Sequence, residues 1–477
     1  VRRIGFLIRA VIILLCVLIV REPYSLIGPQ AVARGDSAFQ QGLIADALRE
    51  YRTALEAQPG DSLVVERLAD SMIAAQRPDL AALYLRQLAS LRGWTPALYR
   101  KLADALAAQG ETQEAVIYWR SALTGSKDDI LPLRKLADEA THDRDWKRAI
   151  DLLTRLITID PNDEQALFQL GLLLLPGNAP AALDYLQRAA ADPQYRGAVA
   201  AINATLGAHS QESPAALAFQ IGLTLINQHA WPYAEHALTI ALGQGSVTPP
   251  ALAFLGVTQD QQGRDGWPVI SQAYAAAPDD PMVNYAVALH WRLAGDADQA
   301  LAALVRAATL DPRNPAIAAE IGLVYQIQGN LNLAVLWLNT AVRLAPDDPG
   351  FRTLLADFYA DTHYNLEGEG LDVIRKLVEL APDDPNIRAS LGWALFSTGQ
   401  VDAARVELER ALVLDPANAR ARYYFANFLE YRGDREGAID AYLRVYRNTS
   451  DDNGFQDLAA GALRRLGYSI EPAGAAP

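Results

Sequence analysis

Cysteine is almost missing from this chain: among 477 residues there is one, Cys16, and it lies inside an apolar N-terminal run. One thiol closes no intramolecular disulfide and builds no thiolate zinc site. Histidine is scarce as well, at six residues, and His229 and His236, two helical turns apart, have no carboxylate or third ligand in step with them. No metal site and no cofactor is expected. The sequence also lacks a phosphate-binding loop, a nucleophile elbow and a metalloprotease helix, so no catalytic residue is assigned and the chain reads as a non-enzyme. Positive charge is in deficit, with 42 Lys and Arg against 56 Asp and Glu. Net charge is −14, and residues 1–22 hold four Arg and one Glu, +3, so the remainder carries −14 − 3 = −17. A body that acidic repels nucleic acid and anionic headgroups.

The N-terminus departs from this polarity. Ile4 to Val20 is apolar except for Arg9 and stands at the short end of what spans a bilayer. Two readings compete. Arg9 snorkels to the headgroups and residues 1–22 form an uncleaved anchor, or Ala10 to Val20 is the core of a signal peptide cut after Ala31-Val32-Ala33. The anchor is favoured, because that cut would leave a long stretch, Arg21 to Ala33, beyond the apolar core and sever the first helix described below. Arg2, Arg3 and Arg9 precede the core and only Arg21 follows it, which predicts a cytoplasmic N-terminus and an extracytoplasmic body.

What the chain has in abundance is self-similarity. "RKLAD" stands at Arg100 to Asp104 and again at Arg134 to Asp138, and that spacing is the period of the rest of the chain. Counting a small residue as position 8 of each unit gives Gly35, Ala69, Ala103, Ala137, Gly171, Gly222, Gly256, Ala288, Gly322, Ala356, Gly392 and Ala426. A second small residue follows twelve later, as at Ala47, Ala115 and Ala334, and a third seven after that, as at Ala54, Ala122 and Ala341. A turn glycine separates them at Gly110, Gly263 and Gly329, and Pro59, Pro312 or Pro416 closes units. Each unit is predicted to be a pair of helices, A and B, that approach closely at the small residues. "PDDP" connectors, as at Pro278 to Pro281, stop one helix and cap the next; they lack the spaced oxygens of a calcium loop.

This pattern resembles the tetratricopeptide repeat, and Gly35, Ala47, Tyr51, Ala54 and Pro59 form one match to it. The resemblance implies an all-α solenoid of about twelve helix pairs behind one N-terminal transmembrane helix. The expected organisation is an anchor at 1–22, an N-terminal lobe at 28–194, an off-period helix and connector at 195–213, a C-terminal lobe at 214–450, a capping helix at 451–467 and a disordered tail at 468–477. The two extra residues of "HYNLEGEG", His363 to Gly370, are assigned to a loop.

The resemblance further implies that the A helices line a concave groove holding a partner. Positions 5, 9 and 12 share a face distinct from the packing face. In the first lobe position 9 is Asp36, Asp70, Asp104 and Asp138, and position 5 includes Arg100 and Arg134. These are either an acidic ladder for a partner or local pairs of Arg100 and Arg134 with their own Asp, one turn on. Further along the face turns apolar: Phe168 and Leu172, Phe219 and Leu223, Tyr285 and Leu289, Trp393 and Phe396. It is either open to a partner or filled by the extra helix or by the neighbouring turn of the superhelix.

The function these features imply is a non-catalytic interaction scaffold anchored in the cell envelope, with a protein or peptide partner in its groove and no nucleic acid. The alternatives are a carrier of an apolar or glycan ligand, and an accessory subunit of an envelope-assembly enzyme complex. The chain is also similar to membrane-anchored lipopolysaccharide-assembly proteins of bacteria, though it lacks their C-terminal cysteine motifs.

Overall fold

The computed structural model describes residues 27–243, 248–447 and 454–468. The apolar segment Ile4 to Val20 and the tail beyond 468 lie outside the described residues. Among the described residues no strand occurs, and no helix is long and apolar enough to cross a membrane.

The fold is an α-solenoid built of helix pairs. The first five are α1 (27–40) with α2 (Ile44–Ala57), α3 (Ser62–Ala74) with α4 (Pro78–Arg92), α5 (Pro96–Ala108) with α6 (Thr112–Gly125), α7 (Ile130–His142) with α8 (Trp146–Ile159), and α9 (Glu164–Leu174) with α10 (Ala179–Ala189). A solitary helix, α11 (Pro193–Ala208), follows. Four pairs come next: α12 (Pro214–Asn227) with α13 (Trp231–Gly243), α14 (Pro249–Gln261) with α15 (Trp267–Ala276), α16 (Pro281–Leu293) with α17 (Ala297–Leu310), and α18 (Pro315–Ile327) with α19 (Leu331–Leu344). The last three are α20 (Pro349–Thr362) with α21 (Leu371–Leu380), α22 (Pro385–Ser397) with α23 (Val401–Leu414), and α24 (Ala419–Tyr431) with α25 (Arg435–Arg447); α26 (Phe455–Arg465) ends the array. The described residues form two compact units, one of 27–174 with Pro180–Arg196 and the other of Leu175–Ala179 with the described part of 197–468.

The small residues set the distance between paired helices. A Cβ added to Gly35 would lie 2.5 Å from the Tyr51 ring, and one added to Gly322 would lie 2.8 Å from Leu338. Both partners stand at position 24, so position 8 of helix A receives position 24 of helix B. Helix ends follow the capping chemistry read from the connectors. Asp280, Asp348 and Asp384 cap α16, α20 and α22 through their side chains, each followed by proline in the first turn. Gly329 closes α18 in the left-handed region at φ 75°.

The insertion after α20 differs from expectation. His363 and Asn365 take left-handed φ values of 54° and 43°, and Leu366–Gly370 then wind into a π-helical turn that runs into α21. Leu366 is buried in the core with Leu371, so the insertion is wound to bury an apolar residue rather than left as an open loop. At the C-terminus Phe455, Ala459, Ala462 and Leu463 of α26 complete the core around Tyr424 and Tyr442. The edge of the last repeat is thereby covered.

Candidate functional site: the A-helix face

In the first unit the four aspartates at position 9 are all engaged by the protein itself. Asp36 accepts the Tyr51 hydroxyl at 2.6 Å and faces Arg67 at 2.9 Å. Asp70 is paired with Lys101, Asp104 accepts the Trp119 indole N–H at 2.8 Å, and Asp138 accepts the Gln169 amide at 3.0 Å. Two rules generate this set. An aromatic donor at position 24 of the same repeat reaches position 9, as Tyr51 and Trp119 do. A cation or amide at position 6 of the next repeat reaches it from the side, as Arg67, Lys101 and Gln169 do. Burial raises the Asp138 carboxyl above its ordinary range, with Gln169 opposing the shift. A depression of about 130 Å³ lined by Asp36, Phe39, Gln40, Tyr51, Arg67 and Asp70 opens on this face.

Arg100 and Arg134 do not pair with Asp104 and Asp138. Arg100 binds Asp129 at 3.0 Å, and Arg134 binds Asp163. Both partners immediately precede the A helix of the next repeat, and Asp163 also accepts the Ala166 N–H at 3.0 Å. The arginine therefore reaches along the solenoid to an aspartate beside a helix N-terminus. Arginine's rigid fork suits that bridge.

The apolar candidates divide into covered and open. Leu172 is only 1 % exposed and belongs to the protein's interior, and the half-buried Phe168 ring is covered by Tyr195 of α11, stacked on it at 4.3 Å. In the second unit Phe219 and Tyr285 are half-buried against the ring of Phe254, with centroids 6.3 and 6.1 Å away. Leu223 and Leu289 are half-buried on the same cluster. Helix α11 does not supply this cover through its polar contacts. It meets α12 through Thr205–Thr224 at 2.7 Å and through the Gln228 amide on the Ala198 carbonyl at 3.3 Å. The Gln228 bond parallels the one that Gln109 makes to Pro78 of a B helix, so the end of α11 substitutes for a B helix.

Parts of the face stay open, among them a stretch on α16 and α18. Leu293 and Ile327, at position 13 of consecutive A helices, are 50 % and 61 % exposed. One turn before each lie Leu289 and Leu323, half-buried. Between the two helices Arg292 and Glu320 are 2.9 Å apart. Burial raises the Glu320 carboxyl above its ordinary value, with the Arg292 guanidinium opposing. Further on Trp393 stacks on Tyr424 at 4.8 Å, and Phe396 meets Tyr431 edge-on at 5.3 Å.

Sequence comparison agrees with this register. The tetratricopeptide repeat family matches residues 32–93, 292–358, 368–416 and 390–453. The chain is a tetratricopeptide-repeat protein. No curated protein matches its sequence. Similar solved structures include yeast Tom70, at 15 % identity over 92 % of this chain and 95 % of that one, with a TM-score of 0.41. A tetratricopeptide repeat protein of Parabacteroides merdae matches at 14 % identity over 52 % and 97 %, with a TM-score of 0.41. PilF of Pseudomonas aeruginosa matches at 17 % identity over 45 % and 97 %, with a TM-score of 0.35.

Tetratricopeptide-repeat arrays are commonly protein–protein interaction scaffolds, typically without catalysis of their own. In this one the face residues that sequence reasoning missed sit at positions 6 and 13. Position 6 holds Arg67, Lys101, Gln169, Glu320 and Tyr424, whose lateral partners stand at position 9, 12 or 13 of earlier repeats. A search for complementary side chains separated by slightly less than one repeat would have found several of them.

Proposed function

We propose that this tetratricopeptide-repeat protein is a non-catalytic scaffold that takes an apolar segment of a partner polypeptide on the A-helix face of α16 and α18. The observation that carries the reading is the pair Leu293 and Ile327. They are large, apolar, exposed, and at the same position of adjacent repeats, each continuing a half-buried leucine one turn away. The acidic ladder of the first unit supports it less, because each aspartate already has a partner within the chain. The glycan or apolar-carrier reading is weakened in the same way, since the Trp393 face is taken by Tyr424. Attachment to the cell envelope through Ile4 to Val20, with the repeats on the extracytoplasmic side, belongs to the same proposal and rests on the arginine bias of the sequence.

The test is site-specific photo-crosslinking. A photoactivatable residue at Leu293 or Ile327 of the full chain should yield a discrete adduct in cells, and one at the exposed B-helix position Val406 should not. The same adduct from all three sites, or none from Leu293 and Ile327, would sink the reading. A reporter active only in the cytoplasm, fused after Gly467, should be silent; activity there would reverse the topology.

A further inference from the structure

The last three repeats contain bonds that skip a repeat. Asp70–Lys101 and Asp138–Gln169 join A helices of neighbouring repeats. Tyr424 on α24, by contrast, donates its hydroxyl to Asp361 on α20 at 2.7 Å, past the whole of the repeat between them. Arg420 pairs with Asp357 across the same two repeats.

For side chains of α24 to reach α20, the side chains of α22 that lie directly between must be small. They are: Ala389 and Ser390, at positions 5 and 6, are both fully buried. Ser390 joins the network, donating to Asp357 at 2.6 Å and accepting from Arg420 at 3.3 Å. The Trp393 ring lies almost parallel to Tyr424, with 9° between the planes. On the far side the Arg420 guanidinium sits 5.5 Å over the Phe455 ring of α26. Four helices are thus tied by one hydrogen-bonded and stacked network on the A-helix side.

We propose that Asp357–Arg420 and Asp361–Tyr424 form a conformational clasp, which draws α20, α22 and α24 together and keeps the Trp393 ring covered. Releasing it lets the three A helices spread and exposes Trp393 and Phe396 as additional apolar surface. A bond that skips a repeat is suited to this. It constrains the summed rotation of two repeat interfaces, whereas a bond between neighbours constrains one. The clasp does not depend on the partner surface proposed on α16 and α18.

The experiment measures the clasp without a partner. Spin labels at Glu367 and Glu436, both exposed, are placed on the full chain in a Cys16→Ser background, and their separation is read by pulsed electron resonance. Arg420→Gln combined with Tyr424→Phe should shift the distance distribution to longer values and broaden it. The fluorescence assigned to Trp393, taken as the difference from Trp393→Phe, should become more accessible to acrylamide. The exchange Asp357→Arg with Arg420→Asp keeps the ion pair and should preserve the original distance, which guards against a variant that merely unfolds. An unchanged distance in the double variant with native circular dichroism, or a long distance in the exchange variant, would overturn the proposal.

Discussion

Arg292 and Glu320 face each other at 2.9 Å between two A helices, and burial outweighs that pairing in its effect on the carboxyl. The folded protein holds the Glu320 proton more tightly than the unfolded chain does, whose glutamate titrates near the ordinary 4.5. Between that value and the higher folded one the native state binds more protons. By linkage stability then falls as pH rises through the window, and the cost is relieved as pH falls through the folded value. Glu320→Gln keeps an acceptor for Arg292 and removes the titration. Denaturation series from pH 4.5 upward should show the wild type losing stability relative to the variant. Parallel curves would contradict the burial of this carboxyl.

Gly322 tests the repeat register. A Cβ there would meet Leu338 at 2.8 Å and the Ala334 carbonyl at 3.1 Å, so Gly322→Ala forces two helices apart unless Leu338 moves. Any gain in helix propensity from alanine, about 1 kcal/mol, is expected to be outweighed by overpacking of about 1–3 kcal/mol. Gly322→Arg should cost more. An unchanged melting temperature for both would mean that position 8 is not the closest approach.

How much of the structure is legible in the sequence depends on the range of each interaction. The helix pairs are legible because Gly322 with Ala334, or Ala103 with Ala115, repeats a small residue at fixed spacing. Caps are legible because Asp384 and Pro385 act side by side. The ladder is only half legible: Asp104 and Asp138 stand out, but face arguments within one helix match them to Arg100 and Arg134, one turn away. Arg100 instead reaches Asp129, and Asp104 takes Trp119 from helix B, and neither follows from the periodicity of one helix. The place of α11 is hidden because its bond from Thr205 to Thr224 belongs to no repeat spacing, and the Gln228 bond, though spaced like that of Gln109, ends at Ala198 on a helix that lies off the period.

Trp119 offers a measure of the ladder. Its indole N–H donates to Asp104 at 2.8 Å while its ring fills position 24. Trp119→Phe removes the donor but keeps an aromatic, so it costs the hydrogen bond, about 1 kcal/mol, plus lost ring volume. In an Asp104→Ala background the hydrogen-bond part should vanish. A double-mutant cycle with no coupling would remove this bond from the account of the ladder.

Phe219 and Leu223 are the residues on which an open groove and a filled one predict opposite outcomes. Both are half-buried on the core around Phe254, so replacing them by Ser should destabilise the second unit. At about half the burial of a core side chain, each change should cost roughly 1–2.5 kcal/mol, against about 2–5 kcal/mol for full burial. Chemical denaturation of the full chain reads this directly. A midpoint equal to the wild type's would return these two side chains to the candidate surface.

Asp163 does two jobs, and separating them tests how the arginines organise the first unit. Its carboxylate accepts the Ala166 N–H at the start of α9 at 3.0 Å and pairs with Arg134 from the preceding A helix. Asp163→Asn retains a capping oxygen and loses the charge. Asp163→Ala loses both, and a lost cap costs typically about 1 kcal/mol. The pair is nearly buried at Asp163 but 30 % exposed at Arg134, so solvent screens the charge term. The expected order of stability is wild type, then Asn, then Ala, with the step from Asn to Ala at least as large as the step before it. Arg134→Ala should resemble Asp163→Asn and add little to it, because both remove the same contact. If Asp163→Asn proves as damaging as Asp163→Ala, the ion pair between repeats, and not the cap, holds this junction.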